Sequence, residues 1–385
     1  MFVYLLGFAA STALIAYCQN KTKKKFWLFS ALALLIPCII AGLRSETVGT
    51  DVQVYVKPMV ESAISASGFR AYFADFWFEK WRNLFVADYE LGFSLVVFAV
   101  ARVTRSLPVV LFVIQALTIV PFYAALARTR KSEPLWLGML VYFFFSYNTS
   151  LNLMRQWLAM AFLLLAFRML LEKRPVLLTV FSLVALLFHY SAIIMVLIYL
   201  IYLYIALHRN VKLQIKKFHM SGYLLAVCVL TLVAVLALLN LNPLLRLMSA
   251  VGFDRFSNYL VGDELRFLPN QIILRLPLVA IFLVNWKYFR KRGAAAAFYL
   301  VMLLLDIVAS QLISVDVYSF RIGAYFFLFA TLAVPAMYAT LESKPRKLIT
   351  AVCLIGYMLA YWYYTYVMQL RHETIPYHFF FEAGL

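Results

Sequence analysis

Charge is scarce in this chain, and acidic charge scarcest of all. Charged side chains make up 14% of its 385 residues, with 17 Asp and Glu against 35 Lys and Arg. A soluble domain carries about 25% charged residues, so a soluble globular fold is excluded. Cysteine is equally sparse. All 4 cysteines (Cys18, Cys38, Cys228 and Cys353) lie inside apolar stretches. Their spacing suits neither a metal site nor a disulfide framework, and they read as small buried hydrophobes. The signatures of soluble enzymes are missing too: no glycine-rich phosphate loop, zinc-protease helix, paired CxxC or nucleophile elbow occurs. There is no internal repeat, low-complexity linker or soluble domain. No basic region precedes the first apolar run and no small-residue cleavage site follows it, so that run is expected to be a retained helix.

What the chain does have is apolar length. Hydrophobic residues make up 65% of it, and about twelve apolar stretches read as spans, all but the short 175–188 reaching the roughly 17 residues or more that a spanning helix needs. They fall near 2–18, 26–43, 107–127, 134–150, 152–171, 175–188, 190–207, 220–240, 271–289, 294–313, 321–341 and 347–367. The expected fold is all-α, a polytopic membrane helix bundle forming a single membrane domain over 1–385.

The placement of charge orients this bundle. Lys21, Lys23 to Lys25, Arg128, Arg130, Lys131, Lys173, Arg174, Arg209, Lys212, Lys216, Lys217, Lys287, Arg290 to Arg292, Lys344, Arg346 and Lys347 all fall in loops at alternate ends of the stretches. The acids beside them are Glu133, Glu172 and Glu342. By the positive-inside rule these loops are cytoplasmic and both termini lie outside. The outer segments, 44–90, 241–270 and the tail 368–385, are nearly neutral. The net charge of +18 is therefore topological, and nucleic acid is not implied.

Two stretches depart from simple spanning. The segment 91–103 is too short for a perpendicular crossing, and counting it as one would put Arg128, Arg130 and Lys131 on the wrong side; it reads as a half-depth or re-entrant helix. In the outer loop, Phe69, Tyr72, Phe73, Phe76, Trp77, Trp81, Leu84 and Phe85 recur at three- and four-residue steps, which predicts an amphipathic helix over 69–86 lying in the outer interface.

Polar residues at outer helix ends are the candidates for chemistry, because ionisable groups there need a reason to exist. Arg155 and Gln156 open the span 152–171, after Asn148 and Asn152. An arginine is the wrong charge for a helix start, so it either snorkels to headgroups or clamps an anion together with the free amides of the first turn. Arg321 opens a later span, with the same two readings. His189 sits at the turn Phe188-His189-Tyr190-Ser191, either as a hydrogen-bonded core residue or as a titrating base at the floor of an outer cavity. Arg44, Glu46, Gly49, Thr50, Asp51 and Tyr55 cluster where the second span emerges, a solvated loop or a turn presenting a carboxylate and a cation to one site. Asp88 and Glu90 flank the other end of that loop. Asp306, within an apolar span, suits an interhelical hydrogen bond or a proton path. Arg246, Asp254, Arg255, Tyr259, Asp263, Glu264 and Arg266 mix cations, acids and tyrosines, as suits a phosphorylated sugar or ordinary solvation.

The order Arg44…Gly49-Thr50-Asp51…Tyr55, then Glu90-Leu91-Gly92-Phe93, Met154-Arg155-Gln156-Trp157-Leu158-Ala159 and Leu187-Phe188-His189-Tyr190-Ser191-Ala192 resembles the EpsG family of Wzy-type polysaccharide polymerases. Arg321 near Tyr325 and the terminal Ile375-Pro376-Tyr377 extend the resemblance over nearly the whole chain. Leu91 stands where that family often has proline. The resemblance implies a membrane glycosyltransferase that polymerises undecaprenyl-diphosphate-linked oligosaccharide repeats on the periplasmic face of the inner membrane. The donor's reducing-end sugar would pass to a hydroxyl of the acceptor, and undecaprenyl diphosphate would leave. It further implies that Arg44, Arg155 and Arg321, with Gln156, Tyr55 and Arg255, hold the diphosphate in place of a metal, and that Asp51 or His189 accepts the proton. No cofactor is expected. Donor, acceptor and membrane lipid are the expected partners, with a chain-length-regulating membrane protein as a further candidate. Two other classes share the topology: a flippase or transporter of lipid-linked sugars, and a membrane O-acyltransferase. Loss of a polymerase leaves a single capped repeat, loss of a flippase leaves none, and loss of an acyltransferase leaves full-length chains lacking one decoration.

Overall fold

A computed structural model describes residues 1–80, 82–208, 212–215, 218–239 and 265–382; the side chains of 212–215, 218–221 and Val317 are outside that description. The described residues are overwhelmingly helical, and eight helices are long and apolar enough to cross a membrane, or nine if the pair Pro269–Val284 and Trp286–Arg292, bent by 60°, is one span. Shorter apolar helices lie at Phe2–Cys18, Leu91–Thr104 and Pro175–Phe188. The protein is thus a polytopic helical membrane bundle. It divides into two compact units, Met1–Met195 with Met358–Leu385, and Val196–Tyr357.

The first unit opens with α1 (Phe2–Cys18) and α2 (Lys23–Gly42). Pro37 inside α2 has no amide hydrogen, which strips the Ala33 carbonyl of its usual donor four residues on. Ser11 on α1 replaces it, donating to Ala33 O at 2.8 Å. In a bilayer no water could do so, so the proline dictates a polar partner on the neighbouring helix. A π-helical turn, Val52–Val56, leads into α3 (Lys57–Ser65) and the short α4 (Phe69–Phe73).

The expected amphipathic helix over 69–86 ends at Phe73. Beyond it the chain forms an antiparallel hairpin, β1 (Phe76–Glu79) with β2 (Arg82–Phe85), pairing Phe76 with Phe85 and Trp77 with Leu84. Aromatic residues favour a pleated surface as readily as a helix face, and the spacing Phe76, Trp77, Phe78 carries no helical period of its own. Asp75 stops the helix: its side chain accepts the Phe76 N–H at 2.9 Å, and its carbonyl accepts the Val86 N–H at 3.0 Å, closing the hairpin base.

Helix α5 (Leu91–Thr104) is one of the shorter apolar helices. Its end turns back, with Arg102 Nη1 donating to the carbonyls of Ile64 (3.3 Å) and Ala66 (2.7 Å) in the same loop that precedes it. Helix α6 (Leu107–Ala127) starts on that side as well, since a Cβ on Gly42 would lie 2.9 Å from Pro108 O. The unit continues through α7 (Leu135–Tyr142), a π-helical turn at Phe143–Tyr147, α8 (Asn148–Asn152), α9 (Met154–Leu171) and α10 (Pro175–Phe188), and the chain leaves it within α11 (Ile194–Leu207).

The two ends of this unit differ in chemistry. At one end the basic loops are tied together: Gln19 Nε2 donates to the carbonyls of Arg130 (2.9 Å) and Glu133 (3.1 Å), and Arg168 Nη2 meets Glu133 Oε2 at 3.5 Å. At the other end lie residues 43–90, the turn at His189, and the tail 371–380. That tail folds back: Ser45 N–H donates to His378 O (2.7 Å), Phe380 N–H to Leu43 O (2.9 Å) and Gly49 N–H to Glu373 O (3.0 Å).

In the second unit, a hairpin pairs Lys212–Ile215 with Phe218–Ser221 ahead of the helix Gly222–Leu239. Asp306 is held by Arg275, Nε to Oδ2 at 2.8 Å, and Arg275 Nη1 also donates to Gln271 Oε1 at 2.9 Å. Gly323 leaves room for this pair, because a Cβ there would sit 2.9 Å from Asp306 Oδ1. The Asp306 carboxylate thus serves an interhelical ion pair.

Candidate functional site

At the end of the first unit opposite the basic loops, polar side chains from five segments converge. The non-helical Leu153 (φ −81°, ψ 56°) separates α8 from α9, so Arg155 stands in the first turn of a new helix. The amides of that turn precede the first intrahelical donor, Trp157 N–H, which bonds to Leu153 O at 3.0 Å. Arg155 Nη1 pairs with Glu90 Oε2, and its guanidinium lies over the rings of Tyr55 (5.1 Å) and Tyr89 (4.7 Å). Its buried Nε has no hydrogen-bond partner.

Glu90 is the hub of this cluster. It caps α5, and Gly92 lets that helix start close to the end of α10: a Cβ on Gly92 would meet Leu187 O at 2.7 Å. The approach brings Glu90 Oε1 to 2.6 Å from His189 Nδ1 and 3.3 Å from the Tyr190 N–H. Burial alone would raise the Glu90 carboxyl, but the His189 hydrogen bond and the charge of Arg155 outweigh it and hold the group down at about 2. It is therefore an anion throughout the physiological range.

Asp51 and Tyr55 occupy the wall beside Arg155. The Tyr55 hydroxyl donates to Asp51 Oδ2 at 2.8 Å, and the Asp51 N–H donates to Asn152 Oδ1 at 2.9 Å, which fastens the loop to the end of α8. Burial, then the neighbouring Asp51 charge, keep the Tyr55 phenol well above its ordinary range despite Arg155. The turn needs a glycine: Gly49 has φ +92°, and a Cβ there would press to 3.1 Å from Leu151 O. Asn152 Nδ2 also lies 3.4 Å from His372 Nδ1, and Thr50 Oγ1 donates to Glu373 Oε2 at 3.0 Å, so the tail borders the site.

Arg44 is the most unusual member. It is 2% exposed; among the described residues its side-chain hydrogen bond runs from Nη2 to Met154 Sδ at 3.3 Å, and its buried Nε has none. Burial lowers it from the ordinary guanidinium range, opposed only by the hydroxyls of Tyr4, Tyr147, Tyr377 and Tyr55. No described carboxylate pairs with it. A buried cation left without an anion costs several kcal/mol in a protein interior, on the order of the penalty for an unpaired charge.

Of the residues singled out in the sequence, Arg44, Asp51, Tyr55, Arg155 and His189 thus meet at one end of one unit, and Gln156 is buried in the same turn as Arg155. Arg321 belongs to the second unit, where its guanidinium lies 5.1 Å from the Tyr318 ring. Arg255, with Arg246, Asp254, Tyr259, Asp263 and Glu264, lies outside the described residues. Sequence reasoning passed over Glu90 and Asn152 as site residues. The available signal for Glu90 was an acid immediately before an apolar helix too short to span. Among the described residues no group of His, Cys, Asp and Glu is arranged to hold a metal ion.

The family model described as the EpsG family matches residues 11–379. No curated protein and no solved structure matches the chain.

Proposed function

Because this chain belongs to the EpsG family of Wzy-like polysaccharide polymerases, we propose that it joins lipid-linked oligosaccharide repeats at the cluster around Arg44, Arg155 and His189. The substrates are two undecaprenyl-diphosphate-linked oligosaccharides in the bacterial inner membrane, and the site opens to the periplasmic face, opposite the basic loops. A hydroxyl oxygen at the acceptor's non-reducing end bonds to the anomeric carbon of the donor's reducing-end sugar. The bond from that carbon to the phosphate oxygen breaks, and undecaprenyl diphosphate departs with the bonding pair. The hydroxyl proton passes to His189, while Asp51 and Tyr55 orient the acceptor.

The observation that carries this reading is the pair of guanidiniums at the start of α9. Arg44 touches Met154 and Arg155 follows it, and each keeps a buried Nε without a partner. Two forked cations beside the amides of a helix start are suited to a diphosphate, whose charge grows as the bond to carbon breaks. Arg44 in particular gains from an anion what no described carboxylate supplies.

Purified protein in lipid nanodiscs, supplied with its lipid-linked repeat unit, is expected to produce a ladder of multiples, and His189→Ala is expected to produce none. Translocation of the repeat across proteoliposomes without any ladder would instead identify a flippase. Cells lacking the protein that still make full-length chains, short of one substituent, would identify an acyltransferase.

A further inference from the structure

We propose that Glu90 is the positioning residue of this site: its single carboxylate is divided between His189 and Arg155, fixing the base and the diphosphate clamp relative to each other. This rests on the polymerase reading above for its role in the reaction, and on the geometry alone for the pairing. Oε2 takes the Arg155 guanidinium and Oε1 takes His189 Nδ1, the latter at 2.6 Å. The side chain is 4% exposed, and the Tyr190 N–H completes the shell of Oε1.

An ionised carboxylate accepts hydrogen bonds and cannot donate them. The proton at the 2.6 Å contact therefore belongs to His189 Nδ1. The neutral imidazole is thereby the Nδ1–H tautomer, with its basic lone pair on Nε2, the nitrogen remote from Glu90. The same contact stabilises the imidazolium that forms when Nε2 takes the acceptor's proton. Glu90 would not touch the sugar; it acts through the two side chains that do. The division has a further consequence for Arg155. One Nη is occupied by Glu90 and the guanidinium lies over the rings of Tyr55 and Tyr89, so it is held in one orientation before the donor arrives. Preorganisation of this kind lowers the reorganisation needed at the moment charge develops on the leaving group.

The charged groups facing His189 include Glu90 at the start of α5 and, across that carboxylate, Arg155 in α9. Loss of the Glu90 charge disfavours the imidazolium, so proton uptake by His189 moves to lower pH, and with it the acidic limb of the rate profile. The test uses full-length protein in nanodiscs with ¹⁵N-labelled histidine. The 5 histidines are resolved by single substitution. Wild-type His189 is expected as the Nδ1–H tautomer, and in Glu90→Gln its titration midpoint should fall by at least about 1 pH unit, the scale of one lost carboxylate neighbour. The acidic limb of chain growth should fall by the same amount, and Glu90→Asp should recover part of the rate. An Nε2–H tautomer in the wild type, or an unshifted His189 titration in a folded Glu90→Gln protein, overturns the proposal. The ¹⁵N titration behaving as expected while no ladder forms from the repeat unit would leave the pairing intact and refute the polymerase reading instead.

Discussion

Replacing Arg44 with methionine is expected to stabilise the protein and stop chain growth at once. The guanidinium is 2% exposed, and among the described residues its partner is the Met154 sulfur and not a carboxylate. Methionine has similar length, fills the same space beside Met154, and brings no charge that needs an anion. Removing a poorly compensated buried ion in favour of a packed apolar side chain returns about 1–4 kcal/mol. The same change removes a charge-assisted contact to the leaving diphosphate, which should raise the barrier by about 2–4 kcal/mol, roughly 30- to 1,000-fold in rate. Stability and activity therefore move in opposite directions, which a merely structural arginine would not allow. Denaturant unfolding in detergent and ladder formation from the lipid-linked repeat measure the two arms. A variant that unfolds more easily yet still builds long chains would refute the reasoning, and would assign Arg44 to holding the tyrosine cluster together.

Gly49→Ala should cost about 1–2 kcal/mol of stability, because φ +92° is a left-handed conformation that an L side chain resists, and thermal unfolding of the two proteins in the same detergent measures it; an unchanged melting temperature would show that the turn relaxes. In a background without the native cysteines, Ser67→Cys, exposed in the loop that carries Asp51, should react with an impermeant thiol reagent in intact cells. Thr22→Cys, exposed beside the basic loops, should not. The reverse pattern would put the site in the cytoplasm.

Much of this protein was legible without coordinates, and for one physical reason: the bilayer makes demands that a sequence must meet locally. Spans such as Leu107–Ala127 and Ala294–Ser314 are apolar because their surroundings are, and Lys21, Arg128 and Arg174 lie on one side because charged loops do not cross freely. The shortness of Leu91–Thr104 was likewise plain in the sequence, and the structure has a helix of 14 residues there. Local periodicity failed at 69–86, where aromatic residues suit a strand as well as a helix and the hairpin closure by Asp75 and Val86 decided between them. The site divided in the same way. Arg155 at a helix start and His189 at a turn were visible as residues out of place. That one carboxylate, Glu90, joins them across 65 and 99 positions of sequence was not visible. Nor was it visible that no described carboxylate pairs with Arg44. Both are facts of long-range packing: Gly92 against Leu187 brings α5 to α10, and the returning tail pairs with Ser45 and Gly49. Which charges are neutralised and which are left wanting depends on distances between helices. Those distances are set by the fit of side chains from distant parts of the chain, and only the tertiary structure contains them.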